Sequence, residues 1–392
     1  MGNKSVKLGN VADVRDGTHD SPSYQDKGFP LVTTRCFSGT SLDMTQAKSI
    51  SKADYDAINT RSRVDQYDIL VSMIGTVGIV YQETDTEIKY AIKNVGLIKC
   101  HGNAVLSDWI YYWLNSNMGQ QVILERLHGT TQKFISLTDL RNLPLGELPS
   151  QSVMKTRTDA LKQLDAKIKL NQQINKNLLK LAVLEFNKWL DFNQSNQYTS
   201  LDKIANFKNG IAMQKFPPTD NVHVLPVLKI RELNQGYIDS SSGLVTSAID
   251  DDVKVYNGDL IFSWSGTLSV KIWTDGDAAL NQHLFKVTSD RWPKWFYYMW
   301  ILHHLQKFRG IAADKKTTMG HIKRKDLTNA GVLIPNVKEF KDLDIILNPI
   351  IEQIINVGIE SKNLANIRNI MLPKLLSGSI DLSGIEEVIK DA

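Results

Sequence analysis

The stretch Leu8-Gly9-Asn10-Val11-Ala12-Asp13-Val14-Arg15-Asp16-Gly17 returns, altered, as Leu201-Asp202-Lys203-Ile204-Ala205-Asn206-Phe207-Lys208-Asn209-Gly210, 193 residues further on. Other matches follow in the same order. Pro30-Leu31-Val32 with Arg35 answers to Pro226-Val227-Leu228 with Arg231, and Asp43 to Asp239, at an offset of 196. Asp68-Ile69-Leu70-Val71-Ser72 with Gly75-Thr76 answers to Asp259-Leu260-Ile261-Phe262-Ser263 with Gly266-Thr267 at 191. Ala91, Asn94, Leu97 and Lys99 read against Ala278, Asn281, Leu284 and Lys286 at 187. Trp109-x-Tyr111-Tyr112 reads against Trp295-x-Tyr297-Tyr298 at 186, and Thr130-Thr131 with Ile135 against Thr317-Thr318 with Ile322 at 187. Collinear matches with a slowly drifting offset are what duplication followed by loop insertions and deletions leaves. The organising period is half the chain, not a short solenoid repeat.

Each half has two parts. Residues 1–149 and 196–336 mix short β-branched and aromatic runs, such as Ile69 to Val71 and Leu260 to Phe262, with Gly-rich turns and an amphipathic stretch, Trp109 to Leu124. That pattern predicts two globular α/β domains. After Pro149 and again after Pro335 the chain runs for roughly forty residues with almost no Gly or Pro, which predicts one long helix over 150–195 and another over 337–380, ahead of a tail at 381–392. Leu161, Leu164, Ile168, Leu178 and Leu181 fall on or near one stripe, as do Leu343, Leu347, Ile350, Ile354, Val357 and Leu364. Spacings of three and four suit a coiled-coil seam, and continuing the first stripe puts Asn171 and Asn175 on it, where polar residues fix register at a cost in stability. The expected fold is therefore α/β: two globular domains separated by two long antiparallel coiled-coil helices, with a pseudo-twofold internal duplication.

At 392 residues, 42% hydrophobic and 22% charged, the chain has the composition of a folded protein of two or three domains and not of a disordered one. Cys36 and Cys100 are its only cysteines, which excludes a disulfide framework and leaves too few thiols for a structural zinc site. The sequence offers no uninterrupted apolar run of membrane-spanning length, and Met1 to Gly9 lacks the apolar stretch of a signal peptide, so a cytoplasmic protein without membrane contact is expected. The net charge of +4 divides as −1, +4, +4 and −3 over residues 1–149, 150–195, 196–336 and 337–392. That is too little to hold a polyanion by charge alone, so nucleic-acid binding would have to be selective or shared with a partner.

The sequence lacks the usual catalytic constellations: no phosphate-binding glycine loop, no dinucleotide fingerprint, no zinc-protease helix and no nucleophile elbow. Asn348-Pro349-Ile350-Ile351 lacks the second proline and the aromatic residue of an amino-methyltransferase motif. Glu87-Ile88-Lys89 and Glu339-Phe340-Lys341 have the nuclease Glu-x-Lys form without an accompanying Pro-Asp. His303 and His304 are adjacent on a helix and so point about 100° apart, which is poor for binding one metal. The tryptophan clusters at Trp109 and Trp295 read as core. No catalytic, cofactor-binding or metal-binding residue is expected.

Binding chemistry remains. Lys315, Lys316, His321, Lys323, Arg324 and Lys325 flank Thr317-Thr318, and the equivalent place in the first half holds His128, Thr130, Thr131, Gln132 and Lys133. Both are donor-rich turns before a short helix, suited to phosphate oxygens through Lys and Thr and to base edges through Arg and Gln. The candidates for DNA contact are Arg15, Arg35, Thr130, Thr131, Gln132 and Lys133 in the first half, and Lys229, Arg231, Lys315, Lys316, Thr317, His321 and Lys323 in the second. Arg35 and Arg231 stand at equivalent positions and fit a shared structural role equally well.

The succession of globular domain, long helix, globular domain and long helix resembles the specificity subunit of type I restriction-modification enzymes. The residues that carry the resemblance are the Leu-x-x-Ile/Val-Ala opening of each half, the Ser-x-x-Gly-Thr turn, the Thr-Thr-x-x-x-Ile segment, and Leu372-Pro373-Lys374-Leu375-Leu376-Ser377-Gly378-Ser379-Ile380-Asp381 at the end of the second helix. The end of the first helix, Glu185-Phe186-Asn187-Lys188-Trp189-Leu190, matches that ending only at Lys188 and Leu190. The resemblance implies two target recognition domains in the major groove of double-stranded DNA, reading an asymmetric bipartite target. It also implies two methyltransferase subunits that bring S-adenosylmethionine and methylate adenine N6, and nuclease-translocase subunits that use ATP and Mg. A divergent methyltransferase or nuclease with unrecognised motifs, and a coiled-coil adaptor for proteins, are the alternatives.

Overall fold

A computed structural model describes residues 5–39, 41–192, 197–239, 241–314 and 320–380. The chain divides into two compact units, residues 1–165 with 366–392 and residues 166–365. In the first unit an antiparallel sheet runs in the order Asp13–Asp16, Val95–Lys99, Ile69–Ser72, Val80–Gln82. The second unit has the same sheet from Asn206–Asn209, Leu284–Thr288, Leu260–Ser263 and Val270–Ile272. A further sheet in each unit is built on one parallel pair, Phe29–Val32 with Ala91–Ile92 and Val224–Leu228 with Ala278–Leu280. Lys48–Ile50 and Leu244–Thr246 add the next, antiparallel strand. The edges differ: Tyr24–Gln25 completes this sheet in the first unit and Lys254–Val255 in the second. The duplication read from the sequence is thus a duplication of topology.

Strand register corrects one part of that reading. Leu31 lies opposite Ala91 and Val227 opposite Ala279, which makes Ala279 the counterpart of Ala91. Gly17 N–H donates to the Val95 carbonyl at 2.9 Å and Gly210 N–H to the Leu284 carbonyl at 3.1 Å, which makes Leu284 the counterpart of Val95. The uniform offset of 187 expected here is therefore wrong, and one residue, His283, is inserted before Leu284. A strand has a side-chain period of two, so a slip of two residues keeps every apolar side chain on its face and leaves no trace in the pattern. The lysine match survives because of charge. Lys99 Nζ lies 2.7 Å from the fully buried Asp68, and Lys286 Nζ lies 2.8 Å from Asp259, so each ammonium reaches the aspartate that begins the neighbouring strand.

Gly17 and Gly210 are equivalent in a second sense. A Cβ at Gly17 would sit 2.4 Å from the Ile92 carbonyl oxygen, and one at Gly210 would sit 2.2 Å from that of Leu280, so only glycine lets the first strand pass the parallel pair. Asp43 and Asp239 also share a role. Asp43 Oδ1 accepts from the amide and hydroxyl of Thr45 at 3.0 and 2.6 Å, and Asp239 Oδ1 from those of Ser241 at 2.9 and 2.6 Å.

The tryptophan clusters are core, as expected. Trp109 and Trp113 are buried on the helix Ala104–Asn115, which starts where the Asn103 side chain accepts from Leu106 N–H. Trp295, Phe296, Trp300 and Phe308 are buried on Lys294–Ala313. His304 stacks on Trp300 and its Nε2 meets the Gly331 carbonyl at 2.7 Å, a packing role.

The two long helices are Gln151–Phe192 and Val337–Ser377. In the first unit Leu161 packs with Leu372 and Leu375, and Arg368 meets Asp165 at 2.7 Å. In the second unit Asn171 Nδ2 donates to Glu360 Oε2 at 2.8 Å and Asn175 Nδ2 to the Ile354 carbonyl at 3.1 Å. Within each unit, residue numbers rise along one helix as they fall along the other, so the segments are antiparallel. Leu161, Leu347 and Val357 are buried, and Leu164, Ile168, Leu178, Ile350, Ile354 and Leu364 half-buried. Leu181 is exposed, contrary to the expected stripe, because this turn of the helix directs Ala182 and Phe186 into the core of the second unit. Ile351 and Ile355, outside the expected seam, enter the same core. Among the described residues, no helix is long and apolar enough to cross a membrane.

Candidate nucleic-acid interface

In the first unit, the turn after strand Ile69–Ser72 is tied by a buried hydroxyl. Ser72 Oγ donates to the Thr76 carbonyl at 2.7 Å and accepts from Ile79 N–H at 2.8 Å. This is the work of the serine in Ser-x-x-Gly-Thr. Gly75, with φ +81°, turns its N–H to the Lys133 carbonyl at 2.9 Å, and Ile135 N–H donates to the Met73 carbonyl at 3.0 Å. The turn thereby holds a second loop, closed by a pair of main-chain bonds between His128 and Phe134 at 2.8 and 3.0 Å. Gly129 makes that loop tight: its φ is +83°, and a Cβ there would meet the Gln132 carbonyl at 2.3 Å. Thr130, Thr131, Gln132 and Lys133 are all exposed at its tip. His128 Nε2 lies 2.8 Å from Asp139, and hydrogen bonds from Ser136 and then His128 hold the Asp139 carboxyl below its ordinary range. His128 therefore anchors the loop, and the four predicted residues are its presented surface.

The second unit repeats the device. Ser263 Oγ donates to the Ser265 and Thr267 carbonyls at 3.0 and 2.9 Å. Gly266 N–H donates to the Gly320 carbonyl at 2.8 Å, and Ile322 N–H to the Trp264 carbonyl at 3.0 Å. His321 pairs with Ser265 as Phe134 does with Ile74, and its ring meets Trp264 edge-on with centroids 6.2 Å apart. Lys323 is exposed beside it. Lys315, Lys316 and Thr317 lie outside the described residues. Arg324 is structural: it donates to the Phe207 carbonyl at 3.1 Å and to Asn209 Oδ1 at 3.0 Å.

The remaining predicted arginines sit in different settings. Arg15 pairs with Asp13 at 2.6 Å and donates to the Arg61 carbonyl at 2.8 Å. Arg231 pairs with the buried Glu232 at 2.6 Å and with Asp239 at 3.1 Å. Burial pushes the Asp239 carboxyl up, but hydrogen bonds from Ser241, Gln235 and Arg231 outweigh it and hold the group ionised. Arg35 is exposed, and position 36 is a buried Cys where the second half has Glu232, so the two arginines do not share one network. Among the described residues, no hydrogen bond or ion pair joins Arg15 or Arg35 to the Thr130–Lys133 loop.

Lys229 and Arg231 line a shallow cleft with Gln214, Asn281, Gln282 and His283. His283 Nδ1 is 3.1 Å from Ser265 Oγ, the residue whose strand bridge holds His321. The structure thus brings the Lys229 cleft and the His321 loop, far apart in sequence, to one surface. Gln214, Gln282 and His283 were missed by sequence reasoning, and the only signal that could have found His283 was the one-residue insertion hidden by the register slip. A second missed group lies in the first unit: His19 Nδ1 faces Asn94 Oδ1 and Nε2 faces Asp16 Oδ2, each at 2.8 Å. These two acceptors, Asn94 first, raise the His19 pKa above 6.5, and Asp16 also binds Arg61.

Over residues 2–180 and again over 193–383 the chain matches the family model of the type I restriction modification DNA specificity domain. It is 25% identical over 305 residues to the specificity subunit of the type I restriction enzyme MjaIX from Methanocaldococcus jannaschii, covering 71% of this chain and 70% of that one. It is 26% identical over 157 residues to the specificity subunit of type I restriction enzyme EcoBI from Escherichia coli, covering 40% of this chain and only 32% of that relative's length. The crystal structure of a type I restriction-modification S subunit from M. genitalium superposes with a TM-score of 0.51 at 14% identity, covering 94% of this chain and 95% of that one, a likeness of fold.

Proposed function

The chain belongs to the type I restriction-modification DNA specificity family, and we propose that it is the non-catalytic subunit that reads an asymmetric bipartite target in double-stranded DNA. One observation carries the reading: a single scaffold is built twice, and the loop that each buried serine turn holds presents different side chains, Thr130 to Lys133 in one unit and Gly320 to Lys323 in the other. Two readers of one design with unlike tips are what two unlike half-sites require. Thr130, Thr131, Gln132, Lys133, His321, Lys323 and Lys229 contact DNA in this reading, and Lys315, Lys316 and Thr317, which lie outside the described residues, are further candidates for contact. Arg15 and Arg231, already ion-paired, act by shaping the surface, and Arg35 is a candidate for phosphate.

The proposal extends to the assembly in the cytoplasm. Two adenine-N6 methyltransferase subunits dock on the long helices and bring S-adenosylmethionine, and nuclease-translocase subunits, using ATP and Mg, join through them. Support comes from the helices themselves, which keep Leu170, Leu184, Ile345, Ile367 and Ile370 exposed outside the seam. Such side chains are expected to be covered in a working complex. The test is methylation mapping in cells that make the chain with its methyltransferase partner. Two short half-sites about one helical turn apart between centres are expected. A single contiguous target, or no methylation dependent on this chain, overturns the proposal.

A further inference from the structure

We propose that His283, with Gln282 and Gln214 beside it, reads base edges in the half-site of the second unit, and that Lys229 at the mouth of the same cleft holds the adjoining phosphate. The inference deepens the DNA-recognition reading above and rests on it. Its starting point is a contrast between equivalent positions. In the first unit, the counterparts of Asn281 and Gln282 are Lys93 and Asn94, and both are consumed locally. Lys93 Nζ donates to Ser21 Oγ at 2.6 Å, and Asn94 Oδ1 faces His19 Nδ1 at 2.8 Å. In the second unit the loop after Gly210 is Ile211-Ala212-Met213-Gln214, which buries Met213 and has no histidine in the place of His19. Gln214 and Gln282 are left exposed along the cleft.

The inserted His283 sits between these amides and the His321 loop, and it is held rather than loose. Its Nδ1 is 3.1 Å from Ser265 Oγ, and its ring lies 6.1 Å from that of Trp264. With Nδ1 engaged, Nε2 is the nitrogen turned to the cleft, 3.4 Å from Gln282 Nε2. Among the described residues, the Gln282 amide oxygen has no hydrogen-bond partner in the protein, so the pair presents an acceptor and donors from a fixed position. An amide offering both functions is the side chain that matches the major-groove edge of adenine, and an imidazole whose Nε2 is left unprotonated is an acceptor suited to the exocyclic amino group of a base. Lys229 is exposed on the same cleft and supplies a point charge. A short, pre-positioned polar set flanked by an exposed cation is the division of labour between reading bases and holding phosphates.

The experiment selects duplexes from a random pool with the chain assembled with its methyltransferase partner, as the parent and as the variants His283→Ala, Gln282→Ala and Lys229→Ala, followed by competition binding to single-base variants of the parent's motif. His283→Ala and Gln282→Ala are expected to relax preference by about 5- to 100-fold at one or two adjacent positions of a single half-site, leaving the other half-site intact. Lys229→Ala is expected to weaken all sequences alike and to flatten the salt dependence. Gln282 is exposed, so its variant keeps the parent's unfolding midpoint and reports on recognition even where His283→Ala disturbs the fold. A parent that enriches a two-part motif, with Gln282→Ala and a folded His283→Ala that enrich the same motif or only lose affinity evenly, overturns this inference alone. A parent that enriches no motif overturns the DNA-recognition reading and the inference with it.

Discussion

Replacing Asn171 by Leu is expected to make the second unit more stable. Asn171 is fully buried between the long helices, and only half of its amide is used. Nδ2 donates to Glu360 Oε2 at 2.8 Å, but Oδ1 has no hydrogen-bond partner. A buried acceptor left unmade costs about 1–3 kcal/mol, and burying a leucine side chain gains about 1.5–3 kcal/mol. Against these stands the hydrogen bond to a carboxylate, worth about 1.5–3 kcal/mol. Glu360 is 46% exposed and keeps Lys167 at 3.5 Å, so its carboxylate is readily solvated once the amide is gone. The balance favours leucine by about 1–2 kcal/mol, a rise of roughly 2–8 °C in the midpoint of a unit of this size. Thermal unfolding followed by circular dichroism measures it. The polar residue should earn its place through register, so methylation mapping of the Leu variant should show a less uniform gap between half-sites. A fall in midpoint would show instead that the Glu360 bond outweighs the orphaned oxygen.

Four further outcomes follow from other parts of the structure. Lys99→Met leaves Asp68 buried without its cation and should destabilise the first unit by about 3–5 kcal/mol in urea unfolding, with Asp68→Asn added to it recovering part of the loss. Ser72→Ala removes the hydroxyl that ties the turn and strands Ile79 N–H, a cost of about 1–3 kcal/mol, and the loosened loop should weaken only the first half-site in competition binding. Gln132→Ala should cost about 1–3 kcal/mol at one base of that half-site, whereas Lys133→Ala should weaken all sequences alike and lower the salt slope by about one. The fourth is a pH effect. His19 is favoured in its charged form by Asn94 and Asp16, so its folded pKa exceeds the ordinary 6.5. Its stabilisation is complete below that ordinary value and is lost as pH rises through the folded one. His19→Gln should flatten the stability profile across that window, and an unchanged profile would rule the pair out.

What the sequence made legible was whatever the fold needs twice. Gly17 and Gly210 cannot carry a Cβ, Ser72 and Ser263 tie the same turn, and Asp43 and Asp239 cap the same bend, so each survived duplication as an identical letter. The two units diverge where the scaffold makes no demand, and there identity is no guide. Arg35 and Arg231 match in letter while only Arg231 has Glu232 behind it. The seam was legible because it repeats every three and four residues, yet the row Leu343, Leu347, Ile351, Ile355 that faces the second core was only partly seen, since both rows are apolar and one helix carries them side by side. The insertion of His283 was invisible for a related reason: a strand tolerates a two-residue slip without changing which side chains are buried. The cleft it opens needed hydrogen-bond registers to find. The positions that set the scaffold are readable from one sequence, whereas the positions that distinguish one target from another are those that duplication leaves free to differ. Recognition in this reading depends on where Thr130 to Lys133, His321 and His283 are held, not on what they resemble.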